Sequence, residues 1–308
     1  MKKIFKRIIA ICATLVMFVS YNLNVLAADI TYNINMNQAI NALLQCGWTM
    51  DEIDYFLTDE MILQYKDVQA VLSSEKMYYR VTNEDVYSLT EEECMIQLEQ
   101  IEQLESAGED ALQITTIVPE GEEVTTTITT TDGYMEMYVE VYNCGNGEFI
   151  CGARYEWLIS PWNRKKDVFA LGHSANTILM DDYDIYTVYK ADYTIINGAY
   201  ADVGTYVYEQ PDVLHVGQGG VAVSYDLEND DMLGTVSAYN HRGYIQYRVK
   251  LTDNDEQIFS VHADYLHQEA VIAITPSISF PLGLSVSVDQ SSKFKIMSPN
   301  PYMSVEWE

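Results

Sequence analysis

Apolar and polar residues alternate one by one through the middle of the chain. Met135, Met137, Val139 and Val141 are separated by Glu136, Tyr138, Glu140 and Tyr142. Successive side chains of a strand point to opposite faces, so this spacing predicts a β-strand with one apolar and one mixed face. The stretch 124–158 predicts three consecutive strands joined by two tight turns. The first turn is Asp132-Gly133, and the second lies within Gly145-Asn146-Gly147-Glu148, where residues tolerant of positive φ are concentrated. Alternation returns at Val221, Val223, Tyr225 and Leu227, and again at Ile245, Tyr247, Val249 and Leu251. The turn-like Asn240-His241-Arg242-Gly243 before the last group predicts a hairpin with 236–239. Ile278, Phe280, Leu282, Leu284, Val286 and Val288 alternate with Ser, Pro or Gly. Such strands, without helical patterns between them, favour an antiparallel sandwich or barrel over a parallel sheet.

The pattern before residue 110 has a different period. Met36, Ala39, Ile40, Leu43 and Leu44 form one helical face that stops at Gly47. Thr49 to Glu52 is a capping box, in which the threonine hydroxyl accepts from the N3 amide and the glutamate reaches back. Thr58-Asp59-Glu60 restarts a helix in the same way. Residues 36–67 therefore predict three short helices. Met77–Val81 predicts a strand with a turn at Asn83-Glu84. Thr90 to Glu93 is a second capping box, opening a helix through about Glu105 with Met95, Leu98, Ile101 and Leu104 on one side. Ser106 to Asp110 closes it. The expected fold class is α+β: a helical N-terminal region with a short β-hairpin (28–110), then a mainly antiparallel β-sandwich-like domain (111–308).

The first 27 residues read as an export signal. Lys2, Lys3, Lys6 and Arg7 precede a short apolar run, Ile8 to Val19, and Val25-Leu26-Ala27 supplies a cleavage site. The run is shorter than the roughly 20 residues that span a bilayer, and no later segment is long and apolar enough. A secreted or cell-surface location follows. Removing the four basic residues of that segment from 17 leaves 13 Lys+Arg against 46 Asp+Glu, a formal net charge of −33. A polyanion of this kind repels nucleic acid and anionic lipid. Four cysteines remain, Cys46, Cys94, Cys144 and Cys151. Cys144 and Cys151 flank the second turn. They face each other if the turn is Gly147-Glu148 and miss by one step if it is Asn146-Gly147. Cys46 and Cys94 pair if their helices touch. No spacing matches a zinc site.

The order of segments carries a family resemblance. A signal peptide precedes GWTMDEIDYFLTDEMILQYKD, then a YYRVT strand, then CGARYEWLISPWNRKKDVFALGHSAN. This resembles secreted proteins of Gram-positive bacteria with a helical N-terminal region and a β-rich C-terminal domain. The resemblance implies an exported two-part protein and supplies no catalytic residues.

Candidate chemistry is sparse. Gly172-His173-Ser174-Ala175-Asn176 resembles a nucleophile elbow but ends in Asn176 rather than glycine, and its surroundings read antiparallel. His262 and His267 are five apart and would point to opposite faces of one strand, so they make no metal pair. Acidic turns at 181–184, 228–231 and 253–256 lack EF-hand spacing. Glycoside hydrolysis needs two carboxylates at a set separation, and no pair stands out. The alternating 278–288 segment is compatible with a pore strand or a long sandwich strand. No cofactor is implied. The clearest local anomaly is Trp157, Trp162, Arg164, Lys165 and Lys166, an aromatic and cationic cluster in an acidic chain. Aromatic groups beside cations suit a cell-surface glycan, a cell-wall polymer or an acidic protein partner. The expected function is non-catalytic binding, with a secreted glycan or ester hydrolase as the alternative.

Overall fold

The computed structural model describes residues 31–117, 123–161, 163–180, 185–195, 202–230, 235–252, 258–268, 278–279, 287–288 and 294–306. The segment expected to be an export signal (1–27), Trp162 and the acidic turns at 181–184 and 253–256 lie outside the described residues.

The fold is α+β, with N-terminal helices followed by antiparallel sheets. Helix α1 (31–45) is followed by α2 (Met50–Phe56), α3 (Asp59–Leu63) and a 3₁₀ turn, Gln64–Asp67. Thr49 and Glu52 form the expected capping box, and so do Thr90 and Glu93 at the start of α4 (Glu91–Ala107), which Gly108 ends at φ 71°. The buried face of α4 carries Cys94, Ile101 and Leu104, whereas Met95 is exposed.

The first sheet contains β1 (Ala70–Val81), β2 (Val86–Leu89), β5 (Gly133–Gly145), β6 (Glu148–Ile159), β9 (Tyr186–Ile195), β10 (Asp202–Tyr208) and β13 (Val236–Leu251), in the order β10-β9-β13-β6-β5-β1-β2. A short β8 (Thr177–Leu179) also pairs with β13. The second sheet runs β11 (Val213–Gly217), β12 (Gly220–Asp226), β7 (Lys166–His173), β14 (Ile258–Gln268) and β17 (Phe294–Ile296), and β18 (Tyr302–Glu306) also pairs with β14. Separate two-stranded pairs join β3 (Ala111–Ile117) to β4 (Glu123–Thr129), and β15 (Ile278–Ser279) to β16 (Ser287–Val288). In the latter pair Ile278 pairs with Val288 and Ser279 with Ser287, and the rest of the alternating 278–288 segment lies outside the described residues.

The two large sheets enclose one core. Met135, Met137, Val139 and Val141 of β5 meet Phe169, Leu171, Val221, Val223 and Val261 of the opposite sheet. The hairpin inside the N-terminal region is longer than expected. Its first strand pairs with β5 from Ala70 to Val81, so the segments before and after residue 110 share a sheet.

Register settles the cysteine question. The turn is Asn146-Gly147, with φ of 58° and 71°, the primed geometry that matches strand twist. Asn143 pairs with Phe149 and Gly145 with Glu148, leaving Cys144 in a bulge and placing Val141 opposite Cys151. Cys151 enters the sandwich core while Cys144 packs against the helix-side cluster with Cys46. Cys94 lies in a third cluster under α4. Neither anticipated disulfide forms, and all four thiols are free.

The turn expected at Asn240–Gly243 is instead a bulge within β13. Tyr239 faces Asp192 and Arg242 faces Lys190, so β13 carries one extra residue, absorbed where Asn240 takes φ 49°.

Candidate functional site

The outer face of the first sheet is polar, and the helices cover it. Across β9, β13 and β6, Lys190, Arg242 and Glu156 stand side by side. The next row carries Val188, Tyr244 and Arg154, continued by Tyr138 on β5. The row after it carries Tyr186, Gln246 and Gly152, then Glu140. A Cβ at Gly152 would run into the buried Tyr244 hydroxyl, so glycine makes room for it.

Helix ends explain these cations. The final carbonyls of a helix lack intrahelical partners and carry partial negative charge. Neither α2 nor α3 has a basic residue in its last turn. The sheet supplies the donors instead. Lys190 Nζ donates to the Asp54 and Leu57 carbonyls at 2.9 and 3.0 Å. Arg242 Nε donates to Tyr55 O at 3.0 Å, Gln246 Nε2 to Met61 O at 3.2 Å, and Arg248 Nη2 to Gln64 O at 2.5 Å. Burial pushes the Lys190 ammonium down to about 8, with the Arg242 guanidinium adding to the shift.

Beneath α1 and α2 the network is buried. The Tyr244 hydroxyl donates to Glu140 at 2.9 Å and shares a 2.5 Å hydrogen bond with Tyr65. Trp48 Nε1 donates to the Tyr142 hydroxyl at 2.6 Å. Arg154 donates to Glu52 at 3.3 Å and lies 4.5 Å from the ring centroids of Trp48 and Tyr138. Burial raises the Glu140 carboxyl, opposed by Arg154 and the tyrosine hydroxyls.

This face opens at the β9–β10 edge into a cleft of about 490 Å³, walled by Asp51, Asp54 and Tyr55 of α2 and by Lys190, Asp192 and Arg242 of the sheet. Arg242 holds Asp192 bidentately at 2.9 and 3.1 Å, and Thr205 and Asn240 also donate to it. These hydrogen bonds outweigh desolvation and lower the Asp192 carboxyl. Tyr55 donates to Glu156 at 2.6 Å while Arg242 sits 3.7 Å over its ring. Burial raises Glu156.

A second cleft, about 390 Å³, opens on the other side of the same edge. Tyr189, Tyr208 and Tyr225 line it with Asp212, Asp226 and Glu228. Its aromatic wall continues outward, with ring centroids 6.1 Å apart for Tyr189 and Tyr208 and 4.4 Å for Tyr206 and Tyr208. Between the clefts runs β10, the terminal strand, whose residues from Gly204 onward are exposed on both faces.

The residues singled out from sequence are dispersed. Trp157 is fully buried, its indole donating to the Tyr265 hydroxyl at 2.9 Å, so its ring presents no surface to a ligand. Arg164 pairs with Asp230 at 2.6 Å and Lys166 with Asp212 at 2.9 Å. Lys166 borders the second cleft, Arg164 a separate hollow of about 350 Å³, and Lys165 is half-buried. His173 and Ser174 do not face each other. His173 Nδ1 shares a 2.6 Å hydrogen bond with Thr177, and Ser174 Oγ donates to Asn176 at 2.5 Å. His262 packs on Gly172, and His267 bonds Asp167 at 3.0 Å. Among the described residues no group of three His, Cys, Asp or Glu converges as metal ligands, and no helix is long and apolar enough to cross a membrane.

No protein-family model matches the chain, and no curated protein does. Among solved structures, the collagen-binding domain of a Staphylococcus aureus adhesin shows a weak resemblance. It has 12% identity and a TM-score of 0.22, over 51% of this chain and 88% of that one. The collagen adhesin CNA of S. aureus has 10% identity and a TM-score of 0.20, over 64% and 80%. A family 11 xylanase from Neocallimastix patriciarum has 11% identity and a TM-score of 0.12, over 61% and 100%. Scores this low assign no ligand and no activity.

Proposed function

We propose that this is an exported protein that binds a partner without catalysis, at the cell surface or outside the cell, through the β9–β10 edge and its two clefts. The observation that carries the reading is the strand Gly204–Tyr208, exposed on both faces and flanked by a preformed cleft on each. Ligand sites are concave, with a few placed polar groups against aromatic walls. The charged groups of the first cleft act here as scaffold: Asp192 is held by Arg242, Thr205 and Asn240, and Lys190 caps α2. The basic loop Arg164–Lys166 belongs to the same reading through Lys166, which borders the second cleft. Cleavage after Ala27 completes the proposal.

The test uses the chain from residue 28, screened against cell-surface glycans, cell-wall polymers and proteins. Replacing Tyr206 and Tyr208 with serine should weaken the ligand found by about tenfold or more, as loss of aromatic anchors does, with the melting temperature unchanged. Turnover of a glycan or ester by the purified chain would overturn the reading in favour of a hydrolase.

A further inference from the structure

Edge strands with exposed apolar side chains template the pairing of another strand, and proteins ordinarily blunt them with lysine, proline or a covering element. Among the described residues, strand β10 carries a bulge at Asp202/Gly204 but neither of these residue types nor a covering element from Gly204 onward. Its sequence from Asp202 to Tyr208 contains neither lysine nor proline, and Tyr206, Val207 and Tyr208 are 41%, 45% and 36% exposed. Among the described strands it pairs with β9 alone.

We infer that β10 accepts an extended, basic segment of a partner protein as an added strand, with alternate side chains entering the two acidic clefts. This rests on the binding role proposed for that edge and names its ligand. Strand addition derives affinity from main-chain hydrogen bonds and selectivity from pockets for alternate side chains. Here Thr205 and Val207 border the first cleft and Tyr208 the second, so the strand's own alternation leads into both. The first cleft offers the exposed carboxylates of Asp51 and Asp54, which take no part in holding its floor. The second offers Asp226 and Glu228 beside Tyr189, Tyr208 and Tyr225, a setting in which carboxylates and ring faces both attract an ammonium or guanidinium. Lysines or arginines on both faces of an extended segment would each meet a carboxylate. Self-pairing is disfavoured by charge: two chains of net −33 after signal removal repel, and acids surround the edge in both copies.

The probe is a fluorescein-labelled eight-residue peptide, Lys-Lys-Thr-Thr repeated twice, which puts lysines on both faces of an extended strand, titrated by anisotropy against the chain from residue 28. Three control peptides carry Glu for Lys, N-methyl groups at odd backbone positions, or N-methyl groups at even positions. Saturable binding of the lysine peptide is expected, with no binding of the glutamate peptide. One N-methyl register should lose about tenfold or more in affinity, since each missing main-chain bond leaves an acceptor unpaired, while the other binds normally. Asp51→Asn with Asp54→Asn should weaken binding by roughly threefold to tenfold, on the scale of paired exposed charges, with an unchanged circular dichroism spectrum. Equal affinity for both N-methyl registers and the parent peptide would show attraction by charge alone and overturn strand addition. A concentration-dependent dimer that Val207→Lys abolishes would also overturn it, with a second copy as the occupant. Binding of a glycan or wall polymer at this edge, with no peptide binding, would sink this inference and leave the proposed function standing.

Discussion

The two faces of the first sheet are both buried, by opposite means. The inner face is apolar and closes the sandwich through Met135, Met137, Val139, Tyr155 and Trp157. The outer face carries Arg154, Glu140, Lys190 and Arg242, each under 8% exposed, and the helices cover it. One face is held by removing apolar surface from water, the other by matching buried donors to helix carbonyls and carboxylates. The first kind of burial tolerates approximate fit. The second does not, because each partner left alone keeps its desolvation cost.

The largest effect that would sharpen this contrast is on the inner face. Trp157→Ala should cost about 3–5 kcal/mol, the range for truncating a buried tryptophan, and should also remove the indole donor from the Tyr265 hydroxyl, which keeps its 2.6 Å bond to Asp167. Urea unfolding measures it; a loss under about 1 kcal/mol would mean that Trp157 is not packed as described. On the outer face, Arg154→Ala should cost about 3 kcal/mol by leaving Glu140 without its opposing charge. Adding Glu140→Leu to that variant should recover part of the loss. Purely additive losses in the double-mutant cycle would break the comparison, because the two residues would then not be coupled.

The smallest effect is in pH. His173 and His241 are buried, and desolvation lowers them to about 4 and about 3. Between those values and the ordinary value near 6.5, the unfolded chain binds protons that the folded chain does not. Stability therefore rises with pH across this window and falls as pH drops from about 6.5 towards 4. Each histidine contributes about 1 kcal/mol per pH unit across its window. His173→Asn should flatten the dependence of melting temperature on pH between 6.5 and 4; an unchanged slope would show that His173 does not govern it.

The inner face was legible because burial on one side writes itself as alternation, and both capping boxes were legible because they are local. The outer face was not. Glu136, Tyr138, Glu140 and Tyr142 read only as a mixed face, since nothing in β5 announces that α1 and α2, some 90 residues earlier, will cover it. Trp157 was misplaced for a different reason. Its proximity to Arg164–Lys166 suggested a surface, but it shares parity with Cys151, Ala153 and Tyr155 and faces Met135. That parity follows from the Asn146-Gly147 turn and the bulge at Cys144, the one-residue choice that spacing left open. The β9–β10 edge was missed because being last in a sheet depends on strand order, which is non-local. The absence of lysine and proline from β10 was the available sign.

The first and last of the described strands also meet. The Tyr79 hydroxyl donates to the Pro299 carbonyl at 2.6 Å, Tyr302 N donates to Glu75 at 3.1 Å, and Met303 and Val305 fill the core. In a chain emerging N-terminus first, β1 precedes the Pro299 contact of Tyr79 by 220 residues. Contacts of such long sequence separation slow folding and prolong exposure of apolar surface. The core around Met303 and Val305 can therefore close only once this distant segment is present.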